Sequence, residues 1–174
     1  RAAEQRIPFL SAMAMMGARD GESSSYPEMV DALNQHGSQA RQDAHALYRR
    51  MTFNVLVSNV DDHLRNHGFL RFDRAGWTLS PAYDLNPVPV DLKARILTTR
   101  ITPDEGTCSL DLLEEAAGYF ALSLSKAKAI IKKVATATAT WREVARDSGA
   151  KRAEIERMAS AFEHDDLRRA LKLA

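Results

Sequence analysis

The most regular pattern in the chain lies over residues 38–58, where apolar side chains recur at intervals of three and four positions. The stripe consists of Ala40, Ala44, Leu47, Met51 and Val55, with Tyr48 and Phe53 beside it. This spacing predicts one amphipathic helix, because such positions share one face of a helix with 3.6 residues per turn. Ser38 is predicted to cap its start. The second half is almost wholly apolar, so we expect that end to be buried.

The rest of the pattern predicts a mainly α-helical (α+β) fold with a small β-hairpin. Residues 26–37 indicate a shorter helix, with Pro27 in its first turn and Gly37 just past its end. Residues 67–73 and 76–81 are typical of two short strands joined by a turn. A further strand is predicted over 93–101, and helices over 109–120, 125–140, 141–149 and 151–162.

Composition narrows the class of protein. The chain has 174 residues, of which 45% are hydrophobic and 27% charged, and this suits one globular domain. A formal net charge of +1 marks no global basic field, so no direct nucleic-acid binding is expected. The single cysteine, Cys108, excludes an internal disulfide. No apolar run approaches the roughly 18–20 residues that span a bilayer, so no membrane partner is expected.

A concentration of polar side chains follows the apolar end of the long helix. Within S-N-V-D-D-H-L-R-N-H-G-F, residues 58–69, these groups are Asp61, Asp62, His63, Arg65, Asn66 and His67. A buried helix is a rigid support, and loops on such supports often carry chemistry. We expect Asp62, the second of two adjacent carboxylates, to point elsewhere, and His67 to have a structural role.

Asp84 lies across the predicted hairpin from this stretch, in the proline-rich loop 81–90. Because a short antiparallel hairpin returns the chain to near its starting point, we expect Asp84 to face Asp61 and Asn66. Two carboxylates and an amide oxygen suit Mg²⁺ that is also held by phosphate oxygens. The carboxylate that the metal does not need would orient a hydroxyl nucleophile, and phosphoryl transfer requires that division of roles.

Other interpretations of the same residues stay open. An aspartate and an asparagine at this spacing often only cap a tight turn. A metal-dependent phosphohydrolase would use Asp61, His63, His67 and Asp84. Gly68 and the strand after it disfavour the helix that would align the two histidines. A third interpretation is a non-catalytic module that binds a partner through the helical tail, which ends in D-D-L-R-R-A-L-K-L-A (165–174).

Two motifs together resemble a known family. N-V-D-D-H-L-R-N-H-G-F (59–69) followed by W-T-L-S-P-A-Y-D-L (77–85) is similar to the C-terminal region of HipA-type toxins. Those toxins are serine/threonine kinases with the pattern N-x-D-x-H-x-[KR]-N and then L-[ST]-P-x-Y-D. The resemblance extends to R-I-P-F-L-S-A-M (6–13) and S-Y-P-E-M (25–29). It covers most of residues 6–90, and the helical tail agrees only in general pattern.

This resemblance implies a protein-kinase-like C-terminal lobe with a hairpin beside its catalytic loop. Residues 1–174 would form that lobe, with 1–90 as the motif-bearing part and 109–174 as the helical tail. The chain has neither a Gly-rich phosphate loop nor a lysine in a V-A-I-K-like strand, parts that the family places in an N-terminal lobe. We therefore interpret the chain as a fragment of a longer protein, inactive by itself.

The resemblance also implies roles for single residues. Asp61 matches the catalytic aspartate, which orients and deprotonates the attacking hydroxyl. Asn66 and Asp84 match the ligands of Mg²⁺. The positions at which the family binds ATP are His63, Arg65, Asn66, Tyr83 and Asp84. Arg65 would offset the negative charge that develops on the transferred phosphoryl group.

Partners and setting follow from the same resemblance. The phosphoryl acceptor would be a serine or threonine hydroxyl of a protein, such as an aminoacyl-tRNA synthetase, with Mg²⁺ and ATP taking part. A helix-turn-helix antitoxin would restrain the toxin. The expected location is the bacterial cytoplasm.

Overall fold

The helices and strands of this protein are seen in a computed structural model that describes residues 6–174. The strands are β1 (Phe9–Ser11), β2 (Ser24–Ser25), β3 (Gly68–Leu70), β4 (Thr78–Leu79) and β5 (Thr99–Arg100). The α-helices are α1 (Ala12–Met16), α2 (Tyr26–His36), α3 (Ala40–Leu56), α4 (Leu110–Ala116), α5 (Leu124–Thr138), α6 (Trp141–Asp147), α7 (Arg152–Phe162) and α8 (Asp165–Leu171). The mainly helical fold with a small sheet is confirmed. Residues 1–5, which the predicted lobe includes, lie outside the described residues.

Helix α3 forms the centre of the core. Its side chains at Leu47, Tyr48, Met51 and Val55 are fully buried, as the apolar stripe predicts. The helix packs against α2, α5 and β4. Full burial of one such apolar side chain contributes about 1.5–3 kcal/mol, so this helix is a firm support for the loop that follows it.

The predicted cap at the start of α3 is wrong. The helix begins after Gln39, whose side chain makes no capping hydrogen bond. Ser38 instead donates from its N–H to the Trp77 carbonyl at 2.8 Å. Gly76 precedes this contact with φ +143°, and a Cβ there would lie 2.6 Å from the His36 carbonyl oxygen. A tertiary contact with the hairpin therefore takes Ser38 away from the helix end.

The hairpin is confirmed as part of a three-stranded antiparallel sheet. The strand order is β1-β3-β4, with Phe9 opposite Leu70 and Phe69 opposite Leu79. The strand predicted over 93–101 is mostly irregular. Only β5 is regular there, and it pairs in parallel with β2 rather than with the hairpin.

Helix α2 shows the predicted end signals. Pro27 lies in its first turn and Gly37 caps its C-terminus. A further feature at its start is a capping box, in which Glu28 N–H donates to the Ser25 hydroxyl and the Glu28 carboxylate accepts from Ser25 N–H. Reciprocal bonds of this kind satisfy donors that a helix start otherwise leaves free.

The tail after residue 109 is helical, as predicted, with one interruption. The segment 109–120 divides into α4 and a 3-10 helix at Ala117–Phe120. Helix α5 packs against α3 and α8, which joins the tail to the core. Among residues 6–174, no helix is both long enough and apolar enough to cross a membrane.

Candidate functional site

The loop that leaves α3 is fixed at its first residue. Ser58 is fully buried and takes a positive φ of 55°. Its hydroxyl donates to the Ala161 carbonyl at 2.9 Å, and Arg95 Nε donates to the same hydroxyl at 3.0 Å. An unfavourable backbone conformation of this kind persists where the surroundings hold it firmly. The tail therefore sets the direction in which the polar loop leaves the core.

Asp61 and Asp62 have opposite environments. The Asp61 side chain is 64% exposed, and the nearest cation is Lys93 Nζ at 3.8 Å. The Asp62 side chain is only 1% exposed. The expectation that the second carboxylate points elsewhere agrees with this geometry. Asp61 is thus available to a ligand, and its exposed contact with Lys93 is weak.

Asn66 is tied to Asp61 by a direct hydrogen bond. Its Nδ2 donates to the Asp61 backbone carbonyl at 3.2 Å, and its backbone N–H donates to the His63 carbonyl at 2.8 Å. These bonds lie in and around a single turn of 3-10 helix at Leu64–Asn66. Within residues 6–174, the Asn66 amide oxygen accepts no hydrogen bond. That oxygen is a hard donor of the type that Mg²⁺ prefers.

Arg65 points to a partner that the sequence did not indicate. Its Nη2 lies 2.6 Å from the Asp20 carboxylate, with both side chains more than half exposed. This pairing lowers the pKa of Asp20 and raises the pKa of Arg65. His63 is half-buried, and its Nδ1 lacks a hydrogen-bond partner among the described residues. The role of both residues at a nucleotide stays a prediction.

The segment that carries Asp84 is anchored to the same region at three points. Arg50 Nη2 donates to the Ser80 carbonyl at 2.7 Å. The Tyr83 hydroxyl donates to the Arg65 carbonyl at 2.7 Å. The third anchor is the Val88 N–H, which donates to the Ser58 carbonyl at 3.1 Å. The two flanks of the hairpin are therefore brought together along their backbones.

Asp84 itself is exposed and has a positive φ of 55°. Its Oδ1 accepts a hydrogen bond from Asn86 Nδ2 at 2.5 Å, which leaves Oδ2 for another ligand. No hydrogen bond joins the Asp84 carboxylate to Asp61 or Asn66 in the described part of the chain. The approach of all three side chains to one metal ion stays a prediction.

Tyr83 has a defined place at the edge of this region. Its side chain is 37% exposed, and its ring lies 6.4 Å from the Phe9 ring between centroids. Partial burial raises the pKa of its hydroxyl. The hydroxyl therefore stays protonated and able to donate to the Arg65 carbonyl.

The zinc-type site of the phosphohydrolase interpretation is not assembled among the described residues. No group of three or more His, Cys, Asp or Glu side chains within residues 6–174 is arranged to hold a metal. His67 is fully buried and follows the 3-10 helix, so it does not align with His63 as the phosphohydrolase interpretation needs. Asn66 and Asp84 offer oxygen ligands, and Mg²⁺ often takes only one or two protein ligands beside phosphate oxygens and water.

Three residues near the loop were missed from the sequence. Tyr26 is fully buried and contacts Asp62, although the two are far apart along the chain. Lys93 lies in an irregular segment for which the sequence predicts a strand. Of the three, only Arg50 could have been found from the sequence. It is an arginine in the apolar half of α3, and arginine is rarely buried without a polar partner.

Comparison with known proteins gives three findings. A family model described as a HipA-like C-terminal domain matches residues 1–142. A solved structure titled as a complex of the Shewanella oneidensis MR-1 toxin–antitoxin system HipA, HipB and its operator DNA has the same fold. The TM-score is 0.69 at 16% sequence identity. No curated protein sequence matches the chain significantly.

The similar structure shows how much of a longer chain this fold occupies. The match covers 99% of this chain but only 45% of the other chain, so this chain spans less than half the length of that protein. That protein was solved with operator DNA. The prediction of no direct nucleic-acid binding is therefore contradicted. The overall net charge gives no information about assemblies formed through a partner or a local surface.

Proposed function

The chain belongs to the family of HipA-like C-terminal domains, and from this premise we propose that it is the catalytic half of a protein kinase. The reaction would move the γ-phosphoryl group of ATP to a serine or threonine hydroxyl of a protein. Phosphoryl transfer depends mainly on positioning and on electrostatic stabilisation, with little covalent chemistry for the protein to perform. A rigid loop with an exposed carboxylate suits that task.

The observation that carries the proposal is the hydrogen bond between Asn66 Nδ2 and the Asp61 carbonyl. It fixes the asparagine beside the aspartate and leaves the asparagine oxygen free for a metal ion. The carboxylate of Asp61 faces solvent, where an incoming hydroxyl can reach it.

Magnesium fits this set of residues as a cofactor. Asn66 Oδ1 and the Asp84 carboxylate would hold the ion, with phosphate oxygens and water as its other ligands. When bound, the ion would neutralise charge on the transferred phosphoryl group. Asp61 would orient the hydroxyl and accept its proton. Lys93, which contacts Asp61 in this structure, would be displaced toward solvent or substrate.

The test uses the full-length protein that contains this chain, because the similar HipA is more than twice as long. Transfer of labelled phosphate from γ-labelled ATP is measured for the parent, for Asp61→Asn and for Asp104→Asn. Asp104 is an exposed carboxylate outside the loop and serves as the matched control. We expect Asp61→Asn to lower transfer about 10²–10⁴-fold, the usual contribution of a positioned general base. Equal transfer by the parent and Asp61→Asn would refute the proposal.

The complex of the similar protein supports a second part of the proposal. We expect the full-length protein to assemble with an antitoxin on operator DNA, as HipA of Shewanella oneidensis does with HipB in the solved complex. A gel-shift assay with labelled operator DNA, antitoxin and full-length protein tests this. A slower complex on adding the protein to the antitoxin–DNA mixture supports the assembly, and an unchanged shift contradicts it.

A further inference from the structure

A buried polar network lies directly beneath the loop that carries Asp61 and Asn66. The Tyr26 hydroxyl donates to Asp62 Oδ2 and accepts from Asn54 Nδ2, which lies at 3.0 Å. Asn59 Nδ2 donates in turn to Asn54 Oδ1 at 3.1 Å. None of these four side chains is more than 1% exposed. The network therefore connects α2, α3 and the loop.

His67 approaches the same carboxyl group from the other end of the loop. Its Nε2 lies 2.9 Å from Asp62 Oδ1, although the two groups are not aligned as a hydrogen bond. The imidazole meets the Tyr26 ring edge-on, with 5.4 Å between the centroids. Asp62 thus receives one polar neighbour from the helical core and one from the start of β3.

The buried residues Asp62 and His67 each directly follow a residue with a proposed chemical role. Asp61 is followed at once by buried Asp62, and Asn66 is followed at once by buried His67. The backbone is held at the same two places. Thr99 N–H donates to the Asp62 carbonyl at 2.9 Å, and the His67 carbonyl accepts from α1 at 2.8 Å. Asp61 and Asn66 therefore each stand beside a residue that is fixed in the interior.

From this arrangement we infer that Asp62, with Tyr26 and His67, is a positioning device that sets the direction of Asp61 and Asn66. Apolar side chains at these places would fill the same space, but only directional bonds fix the orientation of the loop. Burial, with the nearby Asp62 carboxyl, raises the pKa of Tyr26 well above its usual value, so the hydroxyl remains a donor. The inference rests on the proposed function for what Asp61 and Asn66 do.

The test compares two tyrosines of this chain in the full-length protein. Tyr26 and Tyr48 are both fully buried, and each donates one hydroxyl hydrogen bond. Tyr48 donates to the Leu113 carbonyl, away from the loop, so Tyr48→Phe is a matched control for Tyr26→Phe. Backbone amide hydrogen exchange is followed at Asn66 and Thr99, and also at slow amides in the middle of α5.

We expect Tyr26→Phe to accelerate exchange at Asn66 and Thr99 at least about tenfold relative to α5, as for loss of a buried hydrogen bond to a carboxyl group. Tyr48→Phe should change the loop and α5 alike. Equal loop exchange in the two variants would overturn the inference.

If Tyr26→Phe does not fold, His67→Leu and His67→Gln replace it. Gln keeps a polar group next to the Asp62 carboxyl and Leu does not, so His67→Gln should preserve slow loop exchange. If His67→Gln accelerates loop exchange as much as His67→Leu, the positioning role is refuted.

Activity in the full-length protein separates this inference from the proposed function. A positioning role predicts that Tyr26→Phe lowers kcat and leaves KM for ATP nearly unchanged, while Tyr48→Phe changes neither. If Tyr26→Phe accelerates loop exchange but Asp61→Asn is fully active, the kinase proposal is refuted and the effect of the network on the loop is supported. If Tyr26→Phe leaves loop exchange unchanged but Asp61→Asn is inactive, the positioning role is refuted and the kinase proposal is supported.

Discussion

The polar loop 58–67 and the helical tail 109–174 each bury a single carboxyl group, and they use it differently. In the tail, Asp166 Oδ2 lies 2.6 Å from Arg95 Nη1, and Asp166 Oδ1 accepts from Leu110 N–H at 3.0 Å. In the loop, Asp62 has a phenol and an imidazole as its neighbours. The tail carboxyl pairs with a guanidinium that also contacts α3, whereas the loop carboxyl has no arginine or lysine partner among the described residues.

This difference separates stability from positioning. Arg95 also donates to the Val55 carbonyl and to the Ser58 hydroxyl, so its pair with Asp166 joins α8 to the end of α3. Removing one member would leave a mostly buried charge without its partner. The side chain of Asp62 contacts Tyr26 of α2 and His67 at the end of the loop, and in the described part of the chain it contacts no residue of the tail. We therefore expect the tail pair to control global unfolding and the loop network to control local order.

The largest effect on stability is expected for Asp166→Ala. Loss of one partner from a buried ion pair costs about 3–5 kcal/mol of unfolding free energy, because the other charge stays buried and unpaired. Urea denaturation followed by circular dichroism measures the change. Asp165→Ala is the matched control, since Asp165 is its neighbour and is 74% exposed. A similar loss of unfolding free energy in both variants would show that the contact between Asp166 and Arg95 does not stabilise the fold.

The sequence was most informative where contacts are local. The stripe in α3 predicted the core correctly because helical periodicity alone decides which side chains share a face. Asp62 was expected to point elsewhere for an equally local reason, since two adjacent carboxylates rarely serve one site. Its partner Tyr26 could not be predicted, because the contact spans 36 positions. Ser38 was misassigned for the same reason, since its partner Trp77 lies across the hairpin.

Other features depend on surfaces and assemblies that composition does not encode. Arg65 belongs to the motif, but its ion pair with Asp20 arises only when the turn before α2 folds against the loop. The predicted strand over 93–101 has β-forming residues, but it forms a regular strand only at β5, besides an isolated bridge between Ile96 and Thr107. The exclusion of nucleic acid failed because a net charge of +1 describes the whole chain and no particular surface.

An intermediate effect on stability is expected from pH, through His164 in the tail. Burial, with the nearby Arg95 charge, lowers the pKa of His164 from its usual 6.5 to about 4. Its Nδ1 accepts from Leu167 N–H and its Nε2 faces the Leu56 carbonyl at 3.0 Å, a pattern that suits the neutral ring with hydrogen on Nε2. Between pH 6.5 and 4 the unfolded chain therefore binds a proton that the folded chain does not.

Stability should fall as the pH decreases through that window, by on the order of 1–2 kcal/mol after allowance for partial exposure of the ring. Above pH 6.5 this group should contribute no slope, and below pH 4 its contribution should level off. Unfolding free energies between pH 7.5 and 4 are compared for the parent and His164→Gln. The variant should lose this part of the slope, and identical slopes would exclude His164 as the cause.

The smallest effect on stability is expected at the exposed edge of the polar loop. Asp20→Asn removes the carboxylate that holds Arg65, but both side chains are more than half exposed. Exposed pairs contribute little, because water and salt screen them and the long side chains lose entropy when paired. The urea midpoint should stay unchanged, as it should for Asp91→Asn, which removes a comparable exposed pair with Arg157.

The same substitution tests how Arg65 is used. If Arg65 turns toward a phosphate of ATP, it must leave Asp20 first, so Asp20→Asn lowers the cost of that movement. Affinity of the full-length protein for MgATP should then increase by less than about fivefold, in keeping with the modest strength of an exposed pair. Asp91→Asn should leave the affinity unchanged. If Asp20→Asn binds MgATP more weakly than the parent, the ion pair with Asp20 holds Arg65 in the position that binds ATP. The order of the loop would then depend on this exposed contact as well as on the buried network.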